Sequence, residues 1–96
     1  MKLLHLTFRE EFSDAVERIL NRHGIGDFIR YSGVQGRDRD GRHYGTKVHP
    51  GNSTVIQALL EDTHVQDVWS DLESFRGERD SHAHLRAALL AVEDHL

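Results

Sequence analysis

Hydrophobic residues change their spacing along this 96-residue chain in an order that restricts the fold. They first alternate over residues 2–8, which is typical of a β-strand with one buried face. They then recur at helical spacing over residues 12–20, and Gly24 stands where a left-handed residue would end that helix. Thr7 and Glu10 have the spacing of a capping box that would start it. A strand and then a helix are predicted.

The rest of the chain predicts two further strands, a helix and a last strand. The strands are expected at residues 25–34, 53–60 and 85–92. The helix is expected to be capped by Asp62 or Thr63 and to end at Gly77. Its predicted buried stripe consists of Val65, Val68, Trp69, Leu72 and Phe75. The order β-α-β-β-α-β predicts an α+β fold, the ferredoxin-like sandwich, with a four-stranded antiparallel sheet and two helices on one face. Residues 1–96 are interpreted as a single domain.

The last two predicted strands are apolar on both faces. In the final strand, one face carries Ala87, Leu89 and Ala91 and the other carries Ala88, Leu90 and Val92. Strands that are apolar on both faces are usually buried on both faces. Two helices cover only one face of such a sheet, so a second subunit is expected to cover the other. The alternative is that residues 93–96 fold back over the sheet, but this tail is too short to cover much of it.

Composition excludes several classes of function. The chain is 38% hydrophobic and 29% charged, which is typical of a soluble globular protein. It has no cysteine, so disulfides, thiolate metal sites and cysteine nucleophiles are excluded. Its net charge of −4 argues against nucleic acid as the main partner. Its longest apolar run, residues 87–92, is far shorter than a membrane span, and no signal-peptide core follows Met1, so a cytoplasmic location is expected.

A long segment, residues 35–51, separates the second and third predicted strands without apolar periodicity. Structureless connections of this length are uncommon in small domains and are usually functional. Five of the eight glycines fall between Gly33 and Gly51. The segment holds four basic and two acidic residues, so a chain of net charge −4 has a locally cationic region. It suits an anionic ligand or an acidic protein surface; the alternative is a solvated hairpin extension with no ligand.

Three runs in and around this segment support a family resemblance. They are residues 33–36 (GVQG), 41–47 (GRHYGTK) and 49–53 (HPGNS). Together they resemble the loop of the small PII-like signalling proteins, the short-loop branch of the nitrogen-regulatory PII superfamily. The resemblance extends over nearly the whole chain. It implies a homotrimer with each sheet facing the threefold axis, and a small effector in the clefts between subunits. The loop, called the T-loop in that family, would contact a target protein such as a membrane transporter or an efflux system.

The resemblance turns the segment into a predicted ligand or partner loop. The residues expected to act there are Gly36, Arg37, Arg39, Arg42, Tyr44, Gly45, Thr46, Lys47 and Gly51. ATP-binding PII proteins also have a glycine-rich, lysine-containing loop before the last strand. Residues 75–81 (FRGERDS) have one glycine and no lysine at that place, so the resemblance does not predict nucleotide binding of the usual PII kind there. The effector is left open between a small anion, a nucleotide and a divalent metal.

Histidine is abundant, with eight residues in the chain. His82 and His84 alternate at the start of the predicted last strand and would point to the same side. Imidazole is a frequent ligand of zinc, copper and nickel, and Glu78, Asp80 or another subunit could complete a site. The alternative is that most of the histidines are ordinary surface residues.

Three functions remain open at this point. The first is a trimeric PII-like regulator acting through residues 35–51. The second is a trimeric divalent-metal-binding protein of the CutA type, which has the same fold and assembly. The third is a small enzyme on a ferredoxin-like scaffold. No catalytic pair with a defined spacing is present, so the chain is predicted not to be an enzyme.

Overall fold

The structure, a computed structural model, describes residues 1–36 and 52–96. Its strands and helices are β1 (Lys2–Arg9), α1 (Ser13–Arg22), β2 (Phe28–Val34), β3 (Ser53–Leu60), α2 (Asp62–Glu78) and β4 (Arg86–Ala91). Short 3-10 helices at Glu10–Phe12 and Asp80–His84 precede α1 and β4. The predicted β-α-β-β-α-β order is confirmed. None of the described helices is long and apolar enough to cross a membrane.

The strands form one antiparallel sheet in the order β2-β3-β1-β4. Alternate residues of β1 and β3 pack against both helices in a single core. The strand side chains in this core include Leu4, Leu6, Phe8, Ile56, Ala58 and Leu60, and the helix side chains include Val16, Leu20, Val68 and Leu72. Burial of these apolar side chains is the main source of the sheet–helix stability. The two helices therefore lie on one face of the sheet, as predicted.

Helix α1 ends in a Schellman motif, and this shortens the predicted second strand. Gly24 has φ 75°, and its amide donates to the carbonyl of Asn21 at 3.0 Å. The amide of Ile25 donates to the carbonyl of Leu20 at 2.9 Å. The side chain of Ile25 is buried in the core beside α1. Ile25 thus belongs to the helix cap, and β2 begins at Phe28 rather than at residue 25.

The predicted side-chain caps of the two helices are wrong. Thr7 remains in β1, where it pairs with Val55 and Arg86, so it does not form a capping box with Glu10. A 3-10 turn starts at Glu10 instead, and the residue before it makes no side-chain capping bond. Helix α2 likewise starts without a side-chain cap and runs one residue past Gly77. Tertiary pairing of β1 has overridden the local capping preference.

Candidate functional site

The predicted ligand or partner loop joins β2 to β3. Of its predicted site residues, the structure describes only Gly36, which is exposed. Arg37, Arg39, Arg42, Tyr44, Gly45, Thr46, Lys47 and Gly51 lie outside the described residues. The described part of the site consists of its two stems, the end of β2 and the start of β3.

The β2 stem is irregular. The register between β2 and β3 shifts between Tyr31 and Val34, after which Val34 pairs with Ser53. Gly33 lies inside this shift and has φ 66°, a conformation that strains any residue with a side chain. The bulge turns the amide of Gly33 away from the ladder, which leaves it available to a partner outside the sheet.

That partner is Glu10, which also contacts the β3 stem. The amide of Gly33 donates to Oε1 of Glu10 at 3.0 Å. Oγ1 of Thr54 lies 3.5 Å from the same carboxylate oxygen. The backbone amide of Glu10 donates to the carbonyl of Asn52 at 2.7 Å. A single residue at the start of the 3-10 turn therefore binds both stems of the segment.

Buried polar atoms surround this junction. Oγ of Ser13, Oδ1 of Asn52 and Oγ of Ser53 are buried without a hydrogen-bond partner among the described residues. Buried polar groups in folded proteins nearly always have a partner, so a bound water or ion is one explanation for these three atoms. Sequence reasoning missed the junction because the spacing of Glu10 indicates a helix cap. The same spacing is the one sequence signal that singles out Glu10. It predicts a helix cap, whereas Glu10 binds the two stems.

The sheet face opposite the helices forms the second candidate surface, here called the open face. Its side chains stand in rows across the strands, because paired residues share a face. One row is Leu59, Leu3 and Leu90, the next is Ile29, Gln57, His5 and Ala88, and the third is Tyr31, Val55, Thr7 and Arg86. The open face is therefore largely apolar, as the both-face pattern of the sequence predicted.

Large apolar side chains on the open face are exposed to solvent in the single chain. The exposed fractions are 58% for Ile29, 48% for Tyr31, 46% for Leu59 and 48% for Leu90. These are the large exposed hydrophobic residues of the described strands, and all of them lie on this face. Contiguous apolar surface of this kind is typical of a protein interface.

The two predicted metal ligands lie in the second 3-10 helix, before β4, and not in the strand as expected. His82 is buried, and its Nδ1 donates to the carbonyl of Phe75 at 2.7 Å. Its ring stacks on Phe75 with centroids 4.0 Å apart. His84 is half-buried. The predicted alternation on one strand face is wrong, because a 3-10 turn does not place residues two apart on the same side.

Among residues 1–36 and 52–96, no three His, Asp or Glu side chains are grouped closely enough to hold a metal ion. A ligand set shared between subunits, with His82 or His84 as members, stays a prediction. With Nδ1 of His82 already bound to a carbonyl, only its Nε2 would be left for a metal.

A polar contact also ties the two helices together. Nε2 of His23 lies 2.6 Å from Oδ2 of Asp71, and Nη1 of Arg22 lies 3.4 Å from the same oxygen. A groove of about 240 Å³ lies beside this contact between α1 and α2, with Ile19 and Phe75 among its lining residues. The contact joins the end of α1 to the middle of α2 and supports the outer layer of the fold.

Known proteins resemble this chain in structure. No family model matches the chain, and no curated protein matches it. Solved structures do match. One of them is CPII from Thiomonas intermedia K12, a nitrogen regulatory PII-like protein, solved bound to ADP, AMP and bicarbonate. It matches with a TM-score of 0.70 at 14% identity, and the match covers 99% of this chain and 94% of that one. Its apo form matches with a TM-score of 0.65 at 13% identity, covering 95% and 89%.

A second protein has a similar score. A PII-like signalling protein from Thermus thermophilus matches with a TM-score of 0.65 at 12% identity, covering 92% of this chain and 82% of that one. The matches cover nearly the whole chain. The chain therefore has the fold of the PII-like proteins, which confirms the resemblance noted in the sequence.

Proposed function

We propose that this chain is a PII-like regulatory protein that binds a small effector and signals to a partner protein through residues 35–51. The observation that carries the proposal is the match to CPII over 99% of the chain. The protein would act in the cytoplasm, and its task would be to change a contact with a partner rather than to perform a chemical step.

The proposed effector is a small anion or a nucleotide. CPII was solved with ADP, AMP and bicarbonate, all of which are anionic. In this chain the basic residues Arg37, Arg39, Arg42 and Lys47 would meet such a charge. The junction around Glu10 supports the role of the segment rather than the identity of its ligand, because it holds the two stems from which these residues extend.

The proposed assembly is a homotrimer whose subunits cover one another's open faces. The resemblance to PII-like proteins implies this arrangement, and the exposed apolar side chains supply its driving force. Burial of apolar surface contributes roughly 25 cal/mol for each Å² removed from water. The clefts between subunits would hold the effector.

Isothermal titration with ADP, AMP and bicarbonate as separate probes tests the effector assignment. We expect the double variant Arg42→Ala and Lys47→Ala to bind its probe at least about tenfold more weakly, since a hydrogen bond to a charged group contributes roughly 1.5–3 kcal/mol. The matched control, Arg18→Ala with Arg79→Ala, removes two charges elsewhere in the chain and should bind normally. Unchanged affinity in the first variant would exclude the basic residues, and a wild-type protein that binds none of the three probes would contradict the effector class.

A further inference from the structure

A histidine stands near the middle of the open face. His5 lies on β1, one of the two central strands, and pairs with Gln57 of β3 and Ala88 of β4. Nε2 of Gln57 lies 3.4 Å from Nδ1 of His5, so the amide donates to an unprotonated ring nitrogen. The side chain is half-buried already in the single chain.

Within the four described strands, no acidic side chain shares the face of His5. The strand residues that share its face include the cations Arg9 and Arg86 and the phenol of Tyr31, but no Asp or Glu within the four described strands. Arg9 has its own acidic neighbour, Glu11, at 3.8 Å in the 3-10 turn after β1. Along β3 and β4, the two strands that flank β1, the next acids are Glu61, after β3 ends, and Glu93, after β4 ends.

Assembly through this face would change the surroundings of His5. A copy that covers the open face with its own open face brings the same residues, and hence no strand carboxylate to pair with a charged imidazole. A buried charge without a partner is strongly unfavourable, whereas a neutral imidazole with a hydrogen bond is tolerated. Protonation also turns Nδ1 into a donor, so Gln57 must rotate its amide to keep its bond.

We propose that His5 makes assembly through the open face pH-dependent, so that subunits associate while His5 is neutral and separate when it is protonated. The inference rests on the assembly proposed above and adds its regulation. Histidine is suited to this role because it changes charge between about pH 5 and pH 8. Since every copy contributes the same side chain, the transition is expected to be steep.

Sedimentation velocity between about pH 8 and about pH 5 tests the proposal. The mass should fall from three times the 11.0 kDa of one chain to the mass of one chain as the pH is lowered. Circular dichroism at each pH reports whether the separated chain is still folded. The variant His5→Gln keeps a polar side chain that cannot become cationic, and it should stay assembled over the whole range.

Two further variants sharpen the result. His64→Gln removes a histidine from an exposed position on α2 and should dissociate at the same pH as the wild type. Gln57→Glu places a carboxylate next to His5. This carboxylate lacks a partner while His5 is neutral and gains one when His5 is protonated, so the variant should be separated at about pH 8 and should assemble as the pH is lowered, the reverse of the wild type.

The state of the wild-type protein at the two ends of the pH range distinguishes failure of the assembly from failure of the pH switch. A wild-type protein that is a single chain at about pH 8 would overturn the assembly and the switch together. A wild-type protein that stays assembled down to about pH 5 would leave the assembly standing and overturn the switch. Dissociation of His5→Gln at the wild-type midpoint would assign the pH dependence to another group and overturn the role of His5.

Discussion

The carboxylate of Glu10 accepts a hydrogen bond from the backbone amide of Gly33 at 3.0 Å, across 23 positions of the sequence. The backbone amide of Glu10 binds Asn52 on the opposite stem of the segment at residues 35–51. The distance between the two stems is therefore set partly by one residue that lies in neither of them. Because α1 starts directly after the 3-10 turn that holds Glu10, the stems and the helix are positioned together.

Glu10→Ala is expected to loosen the stems without unfolding the sheet. The variant removes the acceptor of Gly33 and Thr54, and we expect it to lower the free energy of unfolding by about 1 kcal/mol, the usual net value of such a bond. Hydrogen exchange should become faster at the Gly33 amide, while amides in the centre of β1 should be unchanged. Glu11→Ala is the matched control, since Glu11 contacts only Arg9 among the described ion pairs. Equal exchange at Gly33 in both variants would refute the role of Glu10.

Replacing either of two glycines by alanine should change the free energy of unfolding, but in opposite directions. Gly24 has φ 75° in the cap of α1, and no atom lies within 4 Å of an added Cβ. Gly24→Ala should therefore lower the free energy of unfolding by about 1 kcal/mol through backbone strain alone. Gly77 lies within α2 and also has open space, so Gly77→Ala should raise it by up to about 1 kcal/mol. Urea unfolding measures the change in free energy of unfolding for each variant. A change in the same direction in both variants would contradict the backbone explanation.

His82→Ala tests whether this histidine is a structural residue. The ring stacks on Phe75, meets Phe12 edge-on at 4.8 Å, and donates to the Phe75 carbonyl near the end of α2. Removing it leaves a cavity and an unpaired carbonyl, so we expect a loss of about 2–4 kcal/mol in urea unfolding. His84→Ala, at a half-buried neighbour, should cost about 1 kcal/mol at most. A loss in His82→Ala as small as that of His84→Ala would show that the stacking does not stabilise the fold.

Asp62 provides a pH-dependent contact at the start of α2. The N-terminal ammonium of Met1 lies 2.6 Å from its Oδ1 and holds the pKa of the Asp62 carboxyl below its ordinary value of 3.8. A carboxyl whose pKa is lowered by folding stabilises the protein above its unfolded pKa, and this contribution is lost as the pH falls through the folded pKa. NMR titration of the Asp62 carboxyl should give a midpoint below 3.8. A midpoint at or above that value would show that the ammonium does not pair with it.

The sequence predicts the fold well because the fold depends on periodicity. Leu4, Leu6 and Phe8 alternate into the core, as their spacing requires. The glycine signal at Gly24 is also confirmed, since a left-handed residue does end α1 there. These features are local, and local patterns are what a single sequence records directly.

The sequence does not predict the site to the same degree because its contacts are long-range. The bond from Gly33 to Glu10 depends on a bulge in β2 and on the place where β1 stops. The spacing of hydrophobic residues predicts neither the bulge nor the end of β1. The prediction for the histidines is wrong for a related reason, because a tight turn replaces the expected strand and places His82 in the core.

Substitutions on the open face should separate assembly from folding. Leu59 and Leu90 are exposed in the single chain and flank Leu3 in one row. The double variant Leu59→Ser and Leu90→Ser therefore removes little buried surface from the core, and the folded chain should keep its secondary structure by circular dichroism. It does remove apolar area from the proposed interface, so sedimentation at neutral pH should give the mass of one chain instead of three.

A control variant on the same face tests whether any substitution there dissociates the assembly. Thr7→Ser alters a polar position in the third row, between Val55 and Arg86, and should leave the assembly intact. Removal of two leucines from an interface core typically costs more than about 1 kcal/mol for each, which is enough to dissociate a complex of moderate affinity. If the double leucine variant stayed assembled, the open face would not be the contact surface, and the pH dependence assigned to His5 would lose its basis.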